Sequence, residues 1–250
     1  MTFCLGMWCN EGLIALADTR ITAGNESSMA GKITVHQYSR HSLFIMTSGL
    51  RSVRDKALMF YEEFLSEKEK KMTQTYHAVD ALAKQMRRVQ KEDARWLKKS
   101  GLDFDIHALV GGQLERDSEH KLFLIYPEGN WVEVSRSTPY FIIGQTAYGK
   151  PLLDRAFSHE IDLHTALKIA ILVFDATRTS ATDVDLPVDV VMYRKNAFKI
   201  SERRFEEVEI KSLMEFWNRG IRRLVSEVPQ DQVDRLFDEL EKSPAGPSPK

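Results

Sequence analysis

Thr2 stands directly behind Met1. A threonine with a free α-amine carries a nucleophilic hydroxyl and a base on one residue. The ordinary pKa of an α-amine, about 7.7–8.0, leaves part of it neutral at neutral pH. That neutral amine can accept the hydroxyl proton directly or through one water. A small second residue permits removal of Met1, and no propeptide precedes Thr2, so Met1 removal is the expected activation step. With Met1 retained, the amine is blocked and the site is inactive. A Met-Thr start is common, so its weight depends on the residues downstream of it.

Other spacings that could do chemistry fail on detail. Gly144-x-x-x-x-Gly149-Lys150 imitates a phosphate-binding loop, and Ile171-Leu-Val-Phe-Asp175 imitates an apolar strand ending in a Mg²⁺-binding Asp. Pro151 stands where that loop needs a hydroxyl, and it suits the first turn of a helix better. Leu163, Leu167, Ala170, Ile171 and Phe174 recur at helical spacing, which places Asp175 after a helix. The seven histidines show no His-x-x-x-His spacing. Cys4 and Cys9 are the only cysteines, and five residues apart on a strand they point to opposite faces. No metal and no cofactor is therefore expected. Asp183, Asp185 and Asp189 lack EF-hand spacing and read as a solvated loop.

The elements that must position Thr2 begin with strands. Phe3–Cys9 and Leu13–Ala17 are apolar runs around Asn10-Glu11-Gly12, a hairpin pattern. Residues 33–36 and 43–47 give a second pair. From Val53 to Leu65 and from Tyr76 to Val89 the spacing turns helical, with Gly101 as a stop. Strands are predicted again over 104–110, 121–126, 131–134 and 140–143. Helices are predicted over 151–157 and 163–174, strands over 186–193 and 197–200, and helices over 210–224 and 231–240. This order lacks the strict alternation of a doubly wound parallel sheet. It fits an α+β fold, two antiparallel sheets with helices outside both, a four-layer α/β/β/α sandwich. Residues 1–242 read as one domain, and the Pro-rich 243–250 as a disordered tail.

Composition agrees with a globular chain. Of 250 residues, 43% are hydrophobic, and 35 Lys+Arg balance 36 Asp+Glu. That balance removes the basic footprint of a nucleic-acid binder. No apolar run approaches the ~20 residues of a membrane span, and no secretory signal is legible. The expected compartment is the reducing cytoplasm.

Five segments occur in a telling order: Thr2-Phe-Cys-Leu-Gly-Met, Gly12-Leu-Ile-Ala-Leu-Ala-Asp18-Thr-Arg20, Ala23-Gly24-Asn25, Gly31-Lys32-Ile33 and Thr47-Ser48-Gly49. This resembles the proteasome β-subunit family of N-terminal nucleophile hydrolases, and within it the bacterial branch called Anbu, the ancestral β subunit. Ile143-Gly144-Gln-Thr-Ala-Tyr-Gly149-Lys150-Pro151, Asp175-Ala-Thr-Arg-Thr-Ser180 and Leu186-Pro187-Val188-Asp189 are similar to the Anbu pattern too. The resemblance implies the four-layer fold and the roles of six residues. Thr2 is the nucleophile. Lys32 stands beside its hydroxyl, and Asp18 fixes Lys32. Gly49 offers its backbone N–H to the oxyanion. Asp175 and Ser180 orient the N-terminal amine, although their spacing is longer than in proteasomes. Arg20 has a structural part in the same strand-end network. Phe3 replaces the second Thr of many relatives, and the serine after the glycine-rich turn falls on Gln145 or Thr146.

Taken singly, Asp18-Thr-Arg20 is as readily a solvated turn, and Lys32 a surface lysine. The implied activity is a threonine peptidase acting on peptides or proteins through an acyl-enzyme. Two alternatives stand beside it: a self-assembling scaffold with weak or no activity, and an amidase for small amides. A large homo-oligomer in an open helical or lock-washer arrangement is implied, with the helices around Phe60–Phe64 and Tyr76–Val89 as contact surfaces. Docking of an ATPase is left open.

Overall fold

The computed structural model describes residues 2–23, 26–29, 31–68 and 72–242. The chain opens with β1 (Phe3–Cys9), β2 (Gly12–Asp18), β3 (Arg20–Ala23), β4 (Glu26–Met29), β5 (Ile33–Tyr38) and β6 (His41–Gly49). Helices α1 (Arg51–Lys68) and α2 (Thr75–Lys99) come next, then β7 (Ile106–Gln113), β8 (Lys121–Ile125), β9 (Trp131–Glu133) and β10 (Tyr140–Gly144). Helices α3 (Lys150–Ala156) and α4 (Leu163–Ser180) precede β11 (Val188–Arg194) and β12 (Ile200–Phe205). Helices α5 (Glu207–Glu227) and α6 (Asp231–Lys242) complete the order.

Two five-stranded sheets result, ordered β10-β1-β2-β11-β12 and β5-β6-β7-β8-β9, with every pairing antiparallel. Alternation along each strand explains why both faces are apolar. Phe44 and Met46 of β6, Leu109 of β7 and Leu122 and Leu124 of β8 join Cys4, Trp8, Leu13, Ala15 and Ala17 in a core between the sheets. The intervening Leu43, Ile45, Ile106, Ala108, Val110, Phe123 and Ile125 face outward and meet α1 and α2. Ala78, Val79, Leu82, Ala83, Met86 and Val89 supply the helical stripe that covers them. On the other side α4 lies against β1 and β2, where Phe174 packs on Phe3. The layers are therefore helix, sheet, sheet, helix. Each fully buried large side chain in these cores contributes about 1.5–3 kcal/mol.

The structure corrects several expectations. The hairpin β3–β4 has no counterpart among the predicted strands, because the alternation in Arg20–Ala23 runs for only four residues and Glu26–Met29 holds a single apolar residue, at its end. Strand β12 starts at Ile200 rather than at Ala197, since Asn196 and Phe198 take left-handed φ values of 62° and 47° that belong to a turn. Asp175 lies inside α4, not after it. Asp185 and Asp189 are not merely solvated: Asp185 pairs with Arg20 at 3.2 Å and Asp189 with Arg204 at 2.7 Å. The apolar stripe of α2 is used inside the core, so only its flanks, such as Tyr76, remain exposed. The expected tail, 243–250, lies outside the described residues, as do Gly24 and Asn25.

The chain divides into two compact units, one ending at Glu209 and the next beginning at Ile210, within α5. Among the described residues, no helix is long and apolar enough to cross a membrane.

Candidate active site

The N-terminal strand is fixed from both sides. Phe3 is in register with Gly144 of β10, and the N–H of Gln145 donates to the carbonyl of Thr2 at 2.8 Å. A Cβ on Gly144 would lie 1.8 Å from that carbonyl oxygen, and the φ of Gly144 is 85°. Only glycine allows this approach. On the other side, the N–H of Phe3 donates to Asp18 Oδ1 at 2.8 Å. The Thr2–Phe3 peptide is thus held between β10 and the end of β2.

Asp18 ends β2 opposite Val188 of β11 and is fully buried. Its Oδ1 also accepts from Lys32 Nζ at 2.6 Å, and Nζ donates to the carbonyl of Arg20 at 2.6 Å. Lys32 is itself buried, just ahead of β5. Burial pushes the Asp18 carboxyl above the ordinary aspartate range, against the pull of the Lys32 charge and of the hydrogen bonds from Lys32 and Phe3. Asp18 Oδ2 is buried without a hydrogen-bond partner among the described residues. Cys4 lies close by, its Sγ 3.9 Å from the Thr47 carbonyl, and burial pushes its thiol far up, so it is no competing nucleophile.

Gly49 ends β6. Its φ is 111°, and a Cβ would lie 2.1 Å from the Asp105 carbonyl oxygen. The N–H of Leu50 donates to that same carbonyl at 2.9 Å. By the alternation of antiparallel bonds, the N–H of Gly49 then points away from β7. On that side β5 begins only at Ile33, opposite Met46, so β5 leaves this N–H open. Thr2, Ser48, Gly49, Leu50 and Gly144 line one cavity of about 480 Å³, together with Asp103, Asp105 and His107.

The remaining sequence candidates are placed differently. Asp175 is buried in α4 and accepts from Arg178 Nε at 3.0 Å. Arg178 also lies 3.9 Å from Asp185, which pairs with Arg20. Asp175 therefore joins the site through Arg178, Asp185 and Arg20, whose carbonyl holds Lys32. Ser180, the last residue of α4, is exposed. The structure thus brings Thr2, Asp18, Lys32 and Gly49 together. It links Asp175 to them indirectly and leaves Ser180 at the helix end.

Sequence reasoning missed Arg178, Asp103, Asp105 and His107, and it read Asp185 as part of a solvated loop rather than as the partner of Arg20. The i,i+3 spacing of Asp175 and Arg178 on a helix was a usable signal. The Arg20–Asp185 pair spans 165 residues and had none.

A family model described as "Proteasome subunit" matches residues 2–190. Among solved structures, a Gly-1 mutant of Anbu from Hyphomicrobium sp. strain MC1 is 27% identical with a TM-score of 0.84, covering 91% of this chain and 99% of that one. Anbu (ancestral beta-subunit) from Yersinia bercovieri is 27% identical with a TM-score of 0.84, covering 91% and 97%. The Anbu chain solved as a helical assembly from Pseudomonas aeruginosa is 24% identical with a TM-score of 0.79, covering 98% of each chain. No curated protein matches the sequence. With its two antiparallel sheets, flanking helix layers and a family match over most of its length, the chain belongs to the proteasome subunit family, as a homologue of the Anbu proteins.

Proposed function

We propose that the chain is an N-terminal nucleophile hydrolase that cleaves amide bonds with Thr2, after loss of Met1. The carrying observation is the buried Lys32–Asp18 pair, hydrogen-bonded into the Thr2–Phe3 peptide beside the cavity that Gly49 lines. In this reading the α-amine of Thr2 takes the hydroxyl proton as Oγ attacks the substrate carbonyl. The charge of Lys32 favours the alkoxide, and the Gly49 N–H receives the oxyanion. Collapse breaks the C–N bond, and the α-ammonium gives its proton to the leaving amine. Water, deprotonated by the same amine, then hydrolyses the ester on Thr2. Met1 lies outside the described residues, so its removal remains part of the proposal.

A scaffold with little turnover is the second reading. The observation that favours it is the exposure of Ser180 at the end of α4, away from a role in orienting the amine. In either reading the chain assembles with copies of itself, as the Pseudomonas aeruginosa relative does in its helical assembly. Peptides and proteins are the proposed substrates, and the reducing cytoplasm the proposed compartment. Mass spectrometry of the N-terminus, then treatment with a peptide epoxyketone, tests the hydrolase. The expected result is a chain beginning at Thr2 that gains one adduct on that residue. A retained Met1, or peptide cleavage undiminished in Thr2→Ala, would rule it out.

A further inference from the structure

The cavity beside Thr2 is lined on one side by a row of polar side chains that the hydrolase chemistry leaves unused. Phe104 and Ile106 pack toward α1 and α2, so the alternating Asp103, Asp105 and His107 face the other way, toward the space between the sheets. Leu109 continues the same row as core. Ser48 stands opposite His107 in the β6–β7 register and shares this face with Phe44 and Met46. Across the space, Cys4 points inward from β1, and Thr2 lies two residues before it, on the same side. Thr2, Ser48, Asp103, Asp105 and His107 line the same cavity of about 480 Å³.

This lining is acidic. Asp105 Oδ1 lies 3.2 Å from His107 Nδ1, which adds a charge only when protonated. Asp103 makes no ion pair among the described residues. Among the described residues, no Lys or Arg lines the cavity. Lys32 is held by Asp18, Arg51 and Arg54 at the start of α1 pair with Asp55, and Lys99 lies over the Trp96 ring. The Thr2 α-amine is unsuited to the role: a lasting ion pair would keep it protonated, and it must be neutral to take the hydroxyl proton. A second, independent feature points to a ligand. Ser48 is only 5% exposed and opens on this cavity, and its hydroxyl makes no hydrogen bond among the described residues. A hydroxyl so buried ordinarily has a partner.

We propose that the cavity receives a basic side chain, arginine or lysine, from the residue of the peptide substrate next to the bond that Thr2 cleaves. Asp103 and Asp105 take its charge, and the Ser48 hydroxyl accepts one of its N–H groups. Guanidinium and ammonium only donate, whereas carboxylates accept and a hydroxyl can, so the two sides are complementary. A cleft lined by one sign of charge concentrates its field on an incoming cation. The volume suffices for such a side chain with its backbone. The inference rests on the proposed hydrolase and names its substrate class.

Equilibrium binding to the full chain carrying Thr2→Ala separates recognition from turnover. The probes are capped, otherwise neutral hexapeptides in which arginine, its uncharged isostere citrulline, or glutamate occupies each position in turn. Arginine should bind about 10-fold more tightly than citrulline at one position or two adjacent ones, and glutamate least tightly. In the same background, Asp103→Asn with Asp105→Asn should bring the arginine and citrulline affinities together. The citrulline affinity should stay unchanged, which also reports that this variant is folded. Ser48→Ala should weaken arginine and citrulline alike, about fivefold. Equal affinities for arginine and citrulline, no binding of either, a gain spread evenly over all positions, or a preference that outlives the two Asn substitutions would each overturn the inference. Undiminished binding in Ser48→Ala would overturn the Ser48 contact. The chain with Thr2 intact, given the same peptides, tests the hydrolase by itself. Selective binding without cleavage would remove the hydrolase and leave the cavity its basic ligand, and cleavage with no preference for arginine would do the reverse.

Discussion

Lys32 Nζ lies 2.6 Å from Asp18 Oδ1 and 2.6 Å from the Arg20 carbonyl, with both charged side chains almost wholly out of water. A pair so buried is a poor stabiliser for its cost, since removing two charges from water offsets their attraction. Truncating one partner is worse. Lys32→Met keeps the side-chain volume but leaves the Asp18 charge buried and unpaired, and should cost about 3–5 kcal/mol in urea unfolding. Lys32→Met with Asp18→Asn removes both charges and should recover most of that loss. If the pair exists for chemistry, the double variant should fold well yet label Thr2 with epoxyketone about 100-fold more slowly than the wild type. Labelling at the wild-type rate would show that the Lys32 charge plays no part in the attack. Arginine at position 32 should not rescue, because its planar fork cannot place a compact charge between one carboxylate oxygen and a carbonyl.

At the scale of elements, two strand ends shape the site, and both finish in glycine. Gly49 closes β6 and Gly144 closes β10, each at a positive φ with a carbonyl oxygen where a Cβ would be. Gly101, beyond α2, has a φ of 74° but nothing within 4 Å of its missing Cβ. Gly101→Ala should therefore cost only the backbone strain, about 1 kcal/mol. Gly144→Ala must also move β10 from Thr2, and should cost about 3 kcal/mol or more and slow Thr2 labelling. Equal losses of stability in the two variants, with labelling unchanged, would refute this account of the β10 edge. The hairpins β1–β2 and β5–β6 were legible because their turns are polar and their strands apolar. So were α1, α2 and α4, through their spacing, while the candidates Thr2, Asp18, Lys32 and Gly49 came from the family resemblance that their order carries. Contacts between distant segments were not legible. Strand β11 sits beside β2, and Asp185 reaches back to Arg20, through pairings that no local pattern encodes. Asp103 and Asp105 escaped notice for a similar reason: they precede β7 and line the cavity only because β7 pairs with β6.

The two sheets of the whole molecule are joined by packing and, at one end, by a histidine. His120 directly precedes β8, and its Nε2 lies 2.7 Å from the carbonyl of Cys9, the last residue of β1 in the other sheet. Trp8 Nε1 donates to the His120 carbonyl at 3.2 Å, and the Trp8 ring packs against His159 at 4.0 Å. A carbonyl can only accept, so Nε2 carries the proton, and the neutral ring leaves Nδ1 bare. Nδ1 is buried with no partner among the described residues. Protonating it would place a new N–H and a full charge in the core. Burial accordingly lowers the pKa of His120 to about 4, against the opposing effect of the bond to Cys9. In the unfolded chain His120 titrates near its ordinary value of 6.5. Below that value the unfolded state binds a proton that the folded state refuses. The stabilising effect is complete above about pH 6.5 and is lost as the pH falls toward 4, at about 1.4 kcal/mol per unit and roughly 3 kcal/mol in all. His36 and His159, whose pKa values are also lowered chiefly by burial, act in the same direction. Urea unfolding measured from pH 7 to pH 4 should show this decline. His120→Gln can still donate to the Cys9 carbonyl but cannot titrate, so it should start less stable at pH 7 and fall with a shallower slope. A slope equal to that of the wild type would mean that the junction between the sheets does not govern acid stability, and that the decline belongs to the other histidines.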